Sequence, residues 1–138
     1  MNVPIALRDD MATEFVALLN AGLGAAGELH IFDGTLPDDT EDADDGTLLV
    51  VLTLSSTAVS GPFGGTFIGF NTITAGTVVA NGTAGYFRFK DSGGTTWLQG
   101  TCAEVPAAGD LLFSDATFAI SESVGITFFT IDFSMGTT

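Results

Sequence analysis

Arg88 and Lys90 stand two residues apart in the run Tyr86-Phe87-Arg88-Phe89-Lys90. They are two of only three cationic residues in a chain of 138 that carries 17 carboxylates and a net charge of −14. A strand alternates its side chains, so Tyr86, Arg88 and Lys90 share one face while Phe87 and Phe89 take the other. Asp91-Ser92-Gly93-Gly94 has turn chemistry, with glycines free to adopt positive φ. Residues 95–99 then return as a second β-prone run that brings in Trp97, the only tryptophan. The chemistry such a hairpin offers is recognition. The spacing predicts a partner-binding face of Tyr86, Arg88, Lys90 and Trp97, half in water, that meets an acidic surface on another protein or on a second copy of this chain. The alternative is that the cations only neutralise nearby carboxylates such as Asp91, an exposed pairing worth about 0–1 kcal/mol.

The other reactive side chains stand alone. His30 is the only histidine, and with no companion histidine or thiolate it reads as an ordinary strand residue. Cys102, the only cysteine, has no intrachain disulfide partner and reads as a small buried apolar group. Residues 38–46 hold six carboxylates: Asp38, Asp39, Glu41, Asp42, Asp44 and Asp45. An EF-hand loop needs acids at alternate positions, glycine at the sixth and glutamate at the twelfth, and no frame here supplies them. The segment is expected to be a solvated, mobile loop, with adventitious divalent binding as the alternative. Gly22-Leu-Gly-Ala-Ala-Gly27 matches the G-x-G-x-x-G of dinucleotide-binding turns. A predicted helix precedes it and a strand follows, the reverse of what that motif requires, so it reads as a flexible connector. The sequence has no G-x-S-x-G elbow and no phosphate-binding lysine loop. A carboxylate pair for glycoside cleavage stays open because acids are plentiful, but one tryptophan and one tyrosine offer it little aromatic platform. No catalytic residue, metal or cofactor is assigned.

Composition narrows the partners. Phosphate backbones and anionic membrane surfaces are bound by clustered Lys and Arg, which this chain lacks, so nucleic acid and membrane are excluded as partners. Arg8, Asp9 and Asp10 interrupt the only early apolar stretch, so no signal peptide is expected, and no run approaches the ~18 apolar residues of a membrane span. The apolar content of 46%, with twelve phenylalanines, is enough for a core and some surplus for an interface.

One domain, 1–138, accounts for the length. Leu7, Met11, Phe15, Leu18 and Leu19 fall on one stripe of a helix over residues 4–20, with Pro4 in the first turn and Gly22 and Gly24 ending it. The stripe is expected to pack against the sheet, with docking on another subunit as the alternative. Strands are expected at 28–33, 47–54, 66–70, 73–80, 86–90, 95–99, 111–113, 117–120 and 125–134, with 55–65 and 101–110 as loops. The run at 47–54 is nearly continuous in apolar residues, which predicts burial on both faces. In the closing strand Phe129, Ile131 and Phe133 share one face, opposite Ile126, Phe128 and Thr130. Short strands separated by Gly/Ser/Asp turns predict a mainly β chain: an antiparallel β-sandwich, immunoglobulin-like or jelly-roll-like, with one N-terminal α-helix.

Three blocks resemble a family of small structural proteins of tailed bacteriophages and prophages. The first runs through Leu18-Leu19-Asn20 and a glycine-rich link into Leu29-His-Ile-Phe-Asp-Gly34, with Pro37 and Leu48-Leu49 following. The second is Gly82-Thr-Ala-Gly-Tyr-Phe-Arg-Phe-Lys-Asp-Ser-Gly-Gly-Thr-Thr96 with its return strand. The third is Asp110-Leu-Leu-Phe113 and Ile126-Thr-Phe-Phe-Thr-Ile131. The acidic segment 38–45 and the phenylalanine enrichment depart from that pattern. The resemblance implies a non-enzymatic virion component made in the host cytoplasm, a decoration or cement protein on the capsid whose partners are the major capsid protein or other virion proteins. A tail or head–tail joining component is the alternative, and a carbohydrate- or host-surface-binding module is a rival from another class.

Overall fold

The strand predicted near residue 30 lies inside a five-stranded sheet with a partner on each side, and the computed structural model builds outward from it. The structure describes residues 2–63, 67–126, 129–132 and 136–137. β1 (Asn2–Val3) leads into α1 (Ile5–Leu23) and a 3-10 turn (Gly24–Ala26). β2 (Glu28–Phe32) and β3 (Leu48–Thr53) follow, then β4 (Val59–Phe63), β5 (Phe67–Phe70), β6 (Gly76–Thr77) and β7 (Gly82–Thr83). β8 (Tyr86–Lys90) and β9 (Thr96–Glu104) are the arms of the hairpin. β10 (Leu111–Phe113), β11 (Thr117–Phe118), β12 (Ser123–Val124), β13 (Thr130–Asp132) and β14 (Gly136–Thr137) close the series.

The chain is mainly β with one N-terminal helix and predominantly antiparallel sheets, consistent with a sandwich whose larger sheet curls. That larger sheet has the order β10-β9-β8-β2-β3, and a second sheet has the order β13-β5-β4. β2 pairs antiparallel with β3 on one side and β8 on the other, placing His30 opposite both Val51 and Arg88. Among the described residues two pairings are parallel, β9 with β10 and β1 with β14.

Side-chain alternation then makes two faces. Leu29, Ile31, Phe87 and Phe89 are all buried on the inner face of the large sheet. Phe89 stacks on Phe70 of β5 at a centroid distance of 4.4 Å. Phe129 meets Phe70, Phe87 and Phe89 edge-on at 5.2–5.5 Å. Such edge-to-face pairs each contribute about 0.5–1.5 kcal/mol beyond their burial, so this cluster ties the two sheets together. Leu49 and Val50, adjacent and hence on opposite faces of β3, are both fully buried, as the continuous apolar run predicts.

Several expected elements move. Residues 59–63, read as loop, form β4, whose Ser60, Gly61 and Pro62 carry little strand propensity of their own. β9 runs on to Glu104 because β10 pairs with Cys102, Ala103 and Glu104 beyond the stretch paired by β8. The strands expected at 73–80 and 125–134 are broken into shorter pieces, and Thr127, Phe128, Phe133 and Ser134 lie outside the described residues.

α1 corrects its predicted stripe. Ala12, Leu19 and Leu23 are its buried residues, with Phe15 and Val16 packed against the core. Leu7, Met11 and Leu18 are exposed, at 47%, 40% and 58%. At 100° per residue these three fall within about 40° of one another and about 120° around the axis from the buried row. The expected stripe merged two faces, of which only one packs inward. Asn20 fixes that orientation. Its side chain donates to the Val59 carbonyl at 3.0 Å and accepts from the Val59 N–H at 2.9 Å, joining the helix to β4. Gly24, at φ 65°, ends the helix, and its N–H returns to the Asn20 carbonyl.

Candidate functional site

The outer face of β8 carries the predicted row. The alternation is as expected, but all five residues from Tyr86 to Lys90 are buried. What covers the outer row is the acidic segment between β2 and β3. Arg88 donates from Nη1 to the Asp42 carbonyl at 2.8 Å and to Asp44 Oδ1 at 2.9 Å, from Nη2 to the Asp39 carbonyl at 3.0 Å, and from Nε to Gln99 Oε1 at 3.1 Å. Lys90 donates from Nζ to both Asp44 oxygens, at 2.9 and 2.7 Å. Gln99, on β9, donates in turn to the Pro37 carbonyl. Tyr86 stacks on Phe32 at 4.9 Å, and its hydroxyl donates to the Asp45 carbonyl while accepting the Asp45 N–H.

The electrostatics follow from this burial. Arg88 is 1% and Lys90 9% exposed, and one carboxylate, Asp44, bridges them. Partial burial pushes the Asp44 carboxyl up, but hydrogen bonds and charge from Lys90 and then Arg88 outweigh it and hold the group below its ordinary value. Burial pushes the Tyr86 hydroxyl up. His30 lies on the same outer face, where burial pulls its imidazole down against the opposing charge of Glu28, 3.6 Å away. The result is an ionic clamp that holds a loop shut over a sheet face.

Trp97 sits beyond the end of the clamp, at the hairpin tip, and is 45% exposed. One face of its indole lies on Gly22 of α1, where a Cβ would come within 2.7 Å of three ring carbons, so only glycine admits the ring there. Its Nε1 donates to Asp91 Oδ2 at 3.0 Å. The same carboxylate accepts the N–H groups of Gly93 and Thr95 through Oδ1, which builds the turn that presents the ring. The indole bond, then the Thr95 amide, hold the Asp91 carboxyl low. Between Thr40–Asp44 on one side and Gly94–Trp97 on the other lies a cleft of about 500 Å³, with Arg88 and Lys90 at its floor.

Tyr86, Arg88, Lys90 and Trp97 therefore do not form one open surface. Burial under residues 37–45 leaves the first three no open face on which a protein surface could dock. The cations do neutralise a carboxylate, but it is Asp44, since Asp91 is occupied by the turn and Trp97. The acidic segment is correspondingly no free solvated loop, because its backbone carbonyls and Asp44 bind the strand beneath. Asp44 and Gln99 are the functional partners that pattern reading missed. The available signal was charge: two cations on one strand face require anions, and six carboxylates directly follow the neighbouring strand.

Among the described residues no three His, Cys, Asp or Glu side chains converge to hold a metal ion, and no helix is long and apolar enough to cross a membrane. The glycine-rich segment 22–27 is the last turn of α1 and its 3-10 extension, followed by β2, so no helix N-terminus faces it. Cys102 is buried, and burial pushes its thiol up to about 12. No protein-family model, curated protein or solved structure matches the chain.

Proposed function

We propose that this chain is a non-enzymatic structural protein of a tailed-phage virion that decorates the outer surface of the capsid. The observation that carries the reading is the outer stripe of α1. Leu7, Met11 and Leu18 lie in line on the helix and stand in solvent, while the inward row, Ala12, Leu19 and Leu23, completes the packing against the sheets. An aligned apolar row that the domain does not need for its own core is the kind of surface that docks on a larger body. The three blocks that resemble small phage structural proteins support the same reading. Charge specifies the partner surface further. A chain of net −14, with Asp10 and Glu14 beside the stripe, favours an apolar strip edged by Lys or Arg on the major capsid protein and disfavours a second copy of itself.

The test is occupancy on particles. Leu7→Glu combined with Leu18→Glu adds two desolvation penalties at the contact but leaves the core untouched. The double variant should fold with wild-type stability and fail to decorate particles lacking the endogenous protein. Wild-type occupancy by the double variant sinks the reading. Labelled electron microscopy of the same particles separates a head position from the alternative, a tail or head–tail joining component.

A further inference from the structure

We propose that the cleft beside Trp97 binds a neutral saccharide, an activity independent of capsid docking. The cleft lies within the ~300–1,000 Å³ of ordinary small-molecule sites. Its aromatic wall is preorganised. The indole rests on Gly22 and is tied by Nε1 to Asp91, so Trp97, which lines the cleft, is fixed before any ligand arrives. A flat, electron-rich face of this kind packs against the C–H surface of a pyranose ring.

The floor supplies the polar half. An ammonium has three N–H donors, and the two bonds from Lys90 to Asp44 leave one, while the Arg88 side chain, 2% exposed, stays inside the clamp. Asp44 keeps lone pairs as an acceptor beside them. A spare donor and an acceptor held side by side by a buried ion pair match the vicinal hydroxyls of a sugar. The same groups disfavour two other ligand classes. Glu41 and Asp42 at the rim repel an anion, and the charged floor penalises a wholly apolar molecule. The fixed ring together with the Lys90 donor and the Asp44 acceptor selects a neutral, hydroxyl-rich ligand with one apolar face.

Trp97 is the sole tryptophan, so its fluorescence reads this site alone. The full chain is titrated with maltotetraose, cellotetraose and chitotetraose and screened on an array of neutral glycans, with tetramethylammonium chloride and a sulfated oligosaccharide as cationic and anionic arms. At least one neutral saccharide should give a saturable change in Trp97 emission and shift the amide resonances of Thr95 and Thr96. Calorimetry on Trp97→Ala should show affinity for that saccharide reduced roughly tenfold or more. If that variant loses its dispersed amide spectrum, Trp97→Phe is used instead, which keeps a ring on Gly22 and should bind within a few-fold of wild type. The proposal is overturned if no neutral saccharide binds, if binding shifts resonances elsewhere but not at Thr95 and Thr96, if a folded Trp97→Ala binds as well as wild type, or if either charged probe binds more tightly. None of these outcomes bears on the outer stripe of α1, so failure here leaves the docking reading standing.

Discussion

Replacing Asp44 with alanine removes the one carboxylate that bridges two buried cations. Lys90 loses both of its hydrogen bonds, while Arg88 keeps Gln99 and two backbone carbonyls. Breaking a buried ion pair from one side costs about 3–5 kcal/mol, because the remaining charge stays desolvated. The Asp44 side chain is 36% exposed, so water screens part of the interaction and the lower end applies, about 3 kcal/mol. For a domain of this length each kcal/mol lowers Tm by roughly 3–5 °C, which gives a fall of about 9–15 °C by calorimetry. In the Lys90→Met background the same replacement should cost much less, since the orphaned ammonium is gone. The wild type carries the matching pH dependence. Asp44 is held below its unfolded value near 3.9, so its contribution is complete above about pH 4 and disappears as pH falls through the lower folded value. An Asp44→Ala protein within about 0.5 kcal/mol of wild type would refute the clamp, as surface substitutions behave that way.

Asn20→Ala leaves the N–H and carbonyl of the buried Val59 without partners and should cost about 2–4 kcal/mol in urea unfolding, with α1 loosening first in hydrogen exchange. His30, lowered by burial, must take up its proton on unfolding, so wild-type stability should climb with pH up to about 6.5. In His30→Gln the profile should be flat across that interval. With its thiol near 12 and buried, Cys102 should resist a disulfide reagent at pH 8 in the native protein and react at once in denaturant.

Much of the architecture was legible because local pattern and tertiary context agree. Alternation in Tyr86–Lys90 gave the two faces of β8, the Asp91–Gly94 turn gave the hairpin, and the unbroken run at Leu48–Thr53 gave a strand covered on both sides. The helix was legible as a helix but not as to which face packs. Leu7, Met11 and Leu18 are as apolar as the row that packs, and the rotation is decided by distant contacts such as the Asn20–Val59 bonds and the seat of Trp97 on Gly22. β4 was invisible because Ser60-Gly61-Pro62 has little strand propensity, and only the pairing of Val59, Ser60 and Phe63 with β5 makes the segment a strand. The site failed for a related reason. The contact between Asp44 and Lys90 depends on β2 pairing with β8, more than fifty residues away, and nothing local in either segment encodes that register. The cleft beside Trp97 has the same origin, since it needs Gly22, Asp91 and the clamped loop to converge.

The docking reading is tested most directly by an image of the particle itself. Virions from cells that carry this gene, reconstructed to side-chain detail, should show the chain on the outer capsid surface. Leu7, Met11 and Leu18 should be buried against a basic-edged apolar strip of the major capsid protein, and the clamp of Arg88, Lys90 and Asp44 should remain closed. A reconstruction in which the chain is absent from the head, or sits there with the outer stripe of α1 still facing solvent, would contradict it.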